Sequence, residues 1–181
     1  LASTFATLAQ TYTTGTVSLT TTAGLAMSVK IDVATNVTLT LSGPSNRWFA
    51  LGFNASSMTS GTDVVGVHSV GTLTNFDARL TGFAAPVTDA VQNWTITSDQ
   101  VVAGNRVIVA TRLLNTGDAT DYVFTAGPGS LSLIWARGSS NSYSYANHGN
   151  SNRGITNVTF SLMPSPPLTV TPTDTTICAG A

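Results

Sequence analysis

Met58 and His148 are the two side chains of this 181-residue chain whose types and settings best suit shared chemistry. Met58 stands in a polar loop, Asn54-Ala-Ser-Ser-Met-Thr-Ser-Gly-Thr62, just past an aromatic stretch. A methionine on a core strand fills space. On a polar loop less packing accounts for it, and its soft thioether becomes a candidate ligand. His148 stands in a similar setting, Tyr143-Ser-Tyr-Ala-Asn-His-Gly149. A thioether and an imidazole brought together from two loops are an axial pair for a low-spin haem iron. That chemistry requires the two loops to meet.

Other residues compete for these roles. His68 lies on the expected strand Asp63–Val70 and is the rival nitrogen donor; its strand position favours a structural or surface role. Met27 belongs to an apolar strand face and Met163 begins a Pro-rich stretch, so both read as packing residues. Trp48, Trp94 and Trp135 read as core residues of separate strands rather than as a sugar-stacking platform. Asp63, Asp118 and Asp121 sit near turns, where Asp serves as cap and turn residue. No single loop offers the acidic oxygens that calcium takes. Hydrolysis finds no support: the chain has no glutamate, and it lacks a Gly-x-Ser-x-Gly elbow and His-rich zinc spacing. The module is not expected to be an enzyme by itself.

Composition narrows the partners. Charged residues are 8% of the chain and the formal net charge is −1, against roughly 25% charged in an average globular domain. Neutralising phosphates takes clustered Lys and Arg, and the seven basic residues are scattered. The composition therefore argues against nucleic acid or acidic-lipid partners. No apolar run is long enough to cross a bilayer, and no signal peptide is evident. The Thr-rich, Lys-poor surface and four Asn-x-Ser/Thr sequons (Asn36, Asn54, Asn93, Asn157) point to an extracellular or cell-surface protein. A start at Leu1 suggests an excised piece or a mature form. Cys178 is the single cysteine, so no internal disulfide forms. Without Cys-x-x-Cys-His, haem would be held non-covalently, as haem b.

The elements that must position Met58 and His148 are strands. Leu25, Met27, Val29, Ile31 and Val33 alternate with Ala26, Ser28, Lys30 and Asp32, the period of a half-buried strand. Val37, Leu39 and Leu41 repeat the pattern, and Gly43-Pro44 ends it. Further strands are predicted at Arg47–Phe53, Asp63–Val70, Gln92–Ser98, Arg106–Leu113, Tyr122–Ala126, Ser130–Arg137 and Gly154–Leu162, with turns at Gly71, Gly104-Asn105, Asn115–Asp118 and Gly127–Gly129. Short, frequent strands without a helical period predict an all-β, antiparallel two-sheet β-sandwich over residues 1–162. Residues 163–181 read as a Pro-rich linker leading into the start of an Ig-like module, with Cys178 orphaned, or as a disordered tail.

Three ordered strings carry a family resemblance. The first is Arg47-Trp-Phe-Ala-Leu-Gly-Phe53, then Met58 and Gly61-Thr-Asp-Val-Val65; the second is Trp94, Val107–Leu114 and Asp118–Asp121. The third is Leu133-Ile-Trp-Ala-Arg-Gly138, then His148 and Arg153-Gly154. Together, over roughly Thr16 to Leu162, they resemble a DOMON domain of the cytochrome type, similar to the haem b domains of cellobiose dehydrogenases. In that branch a methionine follows the Trp-containing strand and a histidine precedes the last strand, so the resemblance implies Met58 and His148 as iron ligands. It further implies a module that passes single electrons to a partner domain, a redox protein or a soluble acceptor. Other branches bind sugars, which leaves a cofactor-free carbohydrate-binding or adhesion module as the second reading. A haem slot built from loops at one end of the sandwich would draw walls from Trp48, Phe49, Phe53, Phe83, Tyr143 and Tyr145. Arg153 could pair a propionate.

Overall fold

The computed structural model describes residues 10–164. Cys178 and nearly all of the expected linker and following module lie outside the described residues. Twelve strands run in the order β1 (Tyr12–Thr13), β2 (Val17–Thr20), β3 (Met27–Val33), β4 (Asn36–Pro44), β5 (Phe49–Phe53), β6 (Asp63–Val67), β7 (Asp77–Arg79), β8 (Val87–Thr88), β9 (Thr95–Val102), β10 (Asn105–Leu113), β11 (Gly129–Arg137) and β12 (Arg153–Leu162). One antiparallel path, β8-β7-β6-β5-β11-β12-β1-β3-β4-β10-β9, curls so that its two halves face each other; β2 adds to β3. The expected all-β sandwich is borne out. Its layers are joined through β1, which pairs with both β12 and β3.

Alternation builds the core. Met27, Val29, Ile31 and Val33 of β3, with Val37, Leu39 and Leu41 of β4, are 0–1% exposed. They pack against Phe49, Leu51, Leu133 and Val158 of the facing layer. Each such aliphatic side chain contributes roughly 1.5–3 kcal/mol by leaving water. The Thr, Ser and Lys residues between them on β3 and β4 stay half-exposed.

The structure departs from the sequence expectations in several places. Tyr122–Ala126 joins no ladder: the Tyr122 N–H donates to the Asp63 carboxylate instead. β6 ends at Val67 rather than Val70. Asp63 and Asp121, expected as turn residues, are buried beside Arg112; Asp118 does hold a turn, accepting the Thr120 N–H.

The β9–β10 hairpin closes through Ala103-Gly104, one residue before the expected turn, with Val102 opposite Asn105. Both turn residues have positive φ, 49° and 80°, the twist that a two-residue hairpin favours. Glycine adopts this at no steric cost, whereas an alanine is strained by about 1 kcal/mol. Ala103→Asn is therefore expected to raise stability by about 0.5–1 kcal/mol, read as a higher urea midpoint with an unchanged m value. A lower midpoint would show that the turn is not strained at Ala103.

Candidate functional site

The site lies on the outer face of the second layer. On β5 the large residues Phe49, Leu51 and Phe53 point into the core, which leaves Ala50 and Gly52 facing out. Ladder pairing sets Ala50 beside Ala136 and Gly66, and Gly52 beside Ile134 and Val64. A floor of such small side chains lets loops and a flat ligand approach the sheet closely. Trp48, Val64 and Leu80 are buried upon it, with Met58, Ile134 and Tyr145 packed against them.

Three loops rise around this floor. The β5–β6 loop brings Ser56-Ser57-Met58, the β7–β8 loop brings Phe83-Ala-Ala-Pro86, and the β11–β12 connection brings Tyr145–Asn150. They enclose a cleft of about 860 Å³, within the roughly 300–1,000 Å³ that cofactor sites span. Met58 and His148 both line it. Both loops therefore border the same cleft.

His148 is set for donation. Its Nδ1–H donates to the Gly149 carbonyl at 2.7 Å, which leaves the Nε2 lone pair available to a metal. The loop is braced around it: Asn152 Nδ2 donates to the His148 carbonyl at 2.9 Å, and the Gly149 N–H donates to Asn147 Oδ1 at 2.8 Å. His68 is placed otherwise. Its Nε2–H donates to the Asn75 carbonyl at 2.9 Å. Its ring packs on Tyr145 at 4.7 Å between centroids, and it does not line the cleft.

Tyr145 packs on His68 and lines the cleft. Its hydroxyl is buried against Gly66, where any β-carbon would overlap it, and has no hydrogen-bond partner. Burial pushes its phenol well above the usual range, so it stays neutral. The edge of Trp48 meets the ring at 5.2 Å. Arg153 lies at the cleft with one N–H on Asn150 Oδ1 at 3.0 Å. Phe83 stands at the rim, 86% exposed.

Of the expected walls, Trp48, Phe83, Tyr145 and Arg153 line the cleft. Phe53 does not. Strand parity turns it to the opposite face, where it stacks on Trp94 at 6.1 Å and Tyr122 at 6.4 Å. Phe49 shares that parity and is fully buried in the main core. Tyr143 lies outside the cleft, donating its hydroxyl to the Ser45 carbonyl at 2.6 Å. The cleft also sits on a sheet face, not at an end of the sandwich. Ala50, Gly52 and Ala136 were missed as site residues. Their signal was the large–small alternation of Phe49-Ala-Leu-Gly-Phe53, whose small members mark a covered outer face.

The DOMON domain profile matches residues 22–138, a span that includes Met58 and ends before His148. The cytochrome domain of Myriococcum thermophilum cellobiose dehydrogenase has a similar structure, with a TM-score of 0.55 at 16% identity over 80% of this chain and 81% of that one. The cytochrome b domain of Coprinopsis cinerea pyranose dehydrogenase aligns with a TM-score of 0.48 at 17% identity, over 70% and 69% of the two chains. At these identities the likeness concerns the fold. No curated protein sequence matches the chain.

Proposed function

The chain belongs to the DOMON family, and from that premise we propose that it is a b-type cytochrome module that binds haem b through Met58 and His148. The observation that carries this reading is the convergence of a thioether and an imidazole with a free Nε2 on one largely apolar cleft. Haem b would be held there by Met58 and His148 and would supply a one-electron iron couple.

The chain's own residues have separable tasks. The Gly149 carbonyl fixes the His148 tautomer. Trp48 and Leu80, 4% and 3% exposed, exclude water from the floor, and the Met58 thioether would favour a reduced iron. Arg153 offers a guanidinium suited to a carboxylate. Ala50, Gly52 and Ala136 give a planar ligand room to lie against the sheet. These features fit the group.

With a net charge of −1, long-range steering of a partner is weak. A tethered redox domain therefore suits the module better than a freely diffusing one, with residues 163–181 as the connection beyond a domain ending at 162. An extracellular or cell-surface setting accords with the Thr-rich surface. Among the described residues no helix is long and apolar enough to cross a membrane.

Hemin titration tests the proposal. The expected result is uptake of one equivalent, a sharp Soret band that shifts on dithionite, and a reduced spectrum of six-coordinate iron. A protein that takes up no hemin yet is retained on polysaccharide would instead be a sugar-binding module.

A further inference from the structure

Away from that cleft, three carboxylates from separate segments meet inside the fold. Asp63 opens β6, Asp77 opens β7, and Asp121 lies in the β10–β11 connection. They are 3%, 0% and 9% exposed, and one carboxylate oxygen of each lies within 4.8 Å of the others. Their oxygens divide in a regular way. Asp63 Oδ2 accepts from Arg112 Nη2 at 2.9 Å and from the Tyr122 N–H at 2.8 Å. Asp77 Oδ2 accepts from the Asn93 N–H at 2.9 Å. Asp121 Oδ2 accepts from Thr116 Oγ1 and lies 3.2 Å from Arg112 Nη1. The Oδ1 atoms of all three are enclosed and without a partner.

Charge makes the same point. Against three carboxylates the cluster holds one guanidinium, Arg112, itself wedged 4.7 Å above the Trp94 ring. Fully ionised, the cluster carries two uncompensated negative charges, which are relieved either by protonation or by a cation. Arg112 occupies the Oδ2 edges of Asp63 and Asp121, so it orders two carboxylates without covering their Oδ1 edges. A polar cleft of about 350 Å³ opens onto Asp63 and Asp121. Thr59, Ser60, Thr62 and Thr120 line it and can supply further oxygens.

We propose that Asp63, Asp77 and Asp121 form a binding site for a hard divalent cation, with Arg112 positioning two of the three carboxylates. An all-oxygen donor set without nitrogen or sulfur selects Ca²⁺ over transition metals, and a divalent ion brings the cluster to neutrality. The site is independent of haem. It also lies behind the loop Asn54–Thr62, so a bound cation would stiffen the segment that carries Met58.

Tb³⁺ luminescence and Ca²⁺-dependent melting test this on the intact chain without added hemin. Trp94 beside the cluster should sensitise Tb³⁺ emission, and Ca²⁺ should quench that emission by competition. Ca²⁺ at a hundredfold excess over its Kd should raise the Tm by on the order of 5 °C. Asp77→Asn should weaken both responses at least tenfold, and Asp121→Asn serves equally if the first variant fails to fold. Absence of a Ca²⁺-dependent Tm shift in the wild type, or responses undiminished in a folded variant, would overturn the site. Because hemin is absent, failure here leaves the cytochrome reading untouched.

Discussion

Alanine at position 148 is expected to leave a folded protein that has lost most of its affinity for haem, whereas alanine at position 58 should keep haem and open an axial position. The asymmetry follows from donor strength. Imidazole is the stronger ligand, and its tautomer is fixed in advance by the Gly149 carbonyl at 2.7 Å. Disturbing even an outer partner of a metal ligand costs roughly 10–100-fold in affinity, so deleting the ligand should cost at least that. The thioether is weak, and the apolar cleft retains most of its surface without it. In Met58→Ala, carbon monoxide should bind the reduced form, whereas the wild type should exclude it. His148→Gly supplies the positional control: imidazole added to the medium should restore the six-coordinate spectrum, since the half-exposed histidine leaves an accessible opening. His68→Ala should change none of these readouts, because its ring lies behind Tyr145 and outside the cleft. Loss of haem in His68→Ala with retention in His148→Ala would reverse the assignment.

What the sequence discloses is governed by range. Strand parity is local, so alternation along Met27–Val33 and Val37–Leu41 identifies the inward face residue by residue. The pairing of two distant loops is not local; donor chemistry and the family resemblance pointed to Met58 and His148, and both line the same cleft, where Met58 also packs against the buried floor. Aromatic character misled where parity should have been applied: Phe49 and Phe53 occupy alternate positions of one strand and must share a face, and that face is the core. The walls that did line the cleft lie off the strand interiors, on loops or at a strand's edge. The acidic cluster was illegible for the opposite reason. Asp63, Asp77 and Asp121 come from three segments; Asp63 and Asp121 each alone look like turn residues, and Asp77 carries no signal of its own. Only the curl of the sheet, which carries β6 and β7 beneath the β10–β11 connection, brings their carboxylates together around Arg112. The short strands β1, β2, β7 and β8 left no sequence signal because two to four residues show no period.

That cluster makes stability pH-dependent in a direction unusual for carboxylates. Burial raises Asp63 from its ordinary 3.8 to about 6, against the lowering pull of Arg112 and of the Tyr122 N–H. Burial raises Asp77 to about 7, opposed by the Asn93 N–H and reinforced by Asp121 and Asp63, with Arg112 a smaller lowering influence. The neighbouring Arg79–Asp89 pair, at 2.6 Å, is self-compensated. Between about pH 4 and 7 the folded chain therefore binds more protons than the unfolded one. Stability then falls as pH rises through that window and levels off above it. At about 1.4 kcal/mol per tenfold change in proton affinity, the coupled pair should cost on the order of 5 kcal/mol between pH 4 and 8. Urea unfolding in EDTA, so that no cation competes, should show this decline. Asp77→Asn keeps an oxygen for the Asn93 N–H and removes one buried charge. The variant should match the wild type near pH 4 and exceed it by about 2–4 kcal/mol at pH 8. Asp118 has the opposite sign: hydrogen bonds from Thr120 hold it below the usual range, so its contribution disappears only at strongly acid pH. Stability that rose from pH 4 to 7 would mean that Asp63 and Asp77 fold as carboxylates already paired.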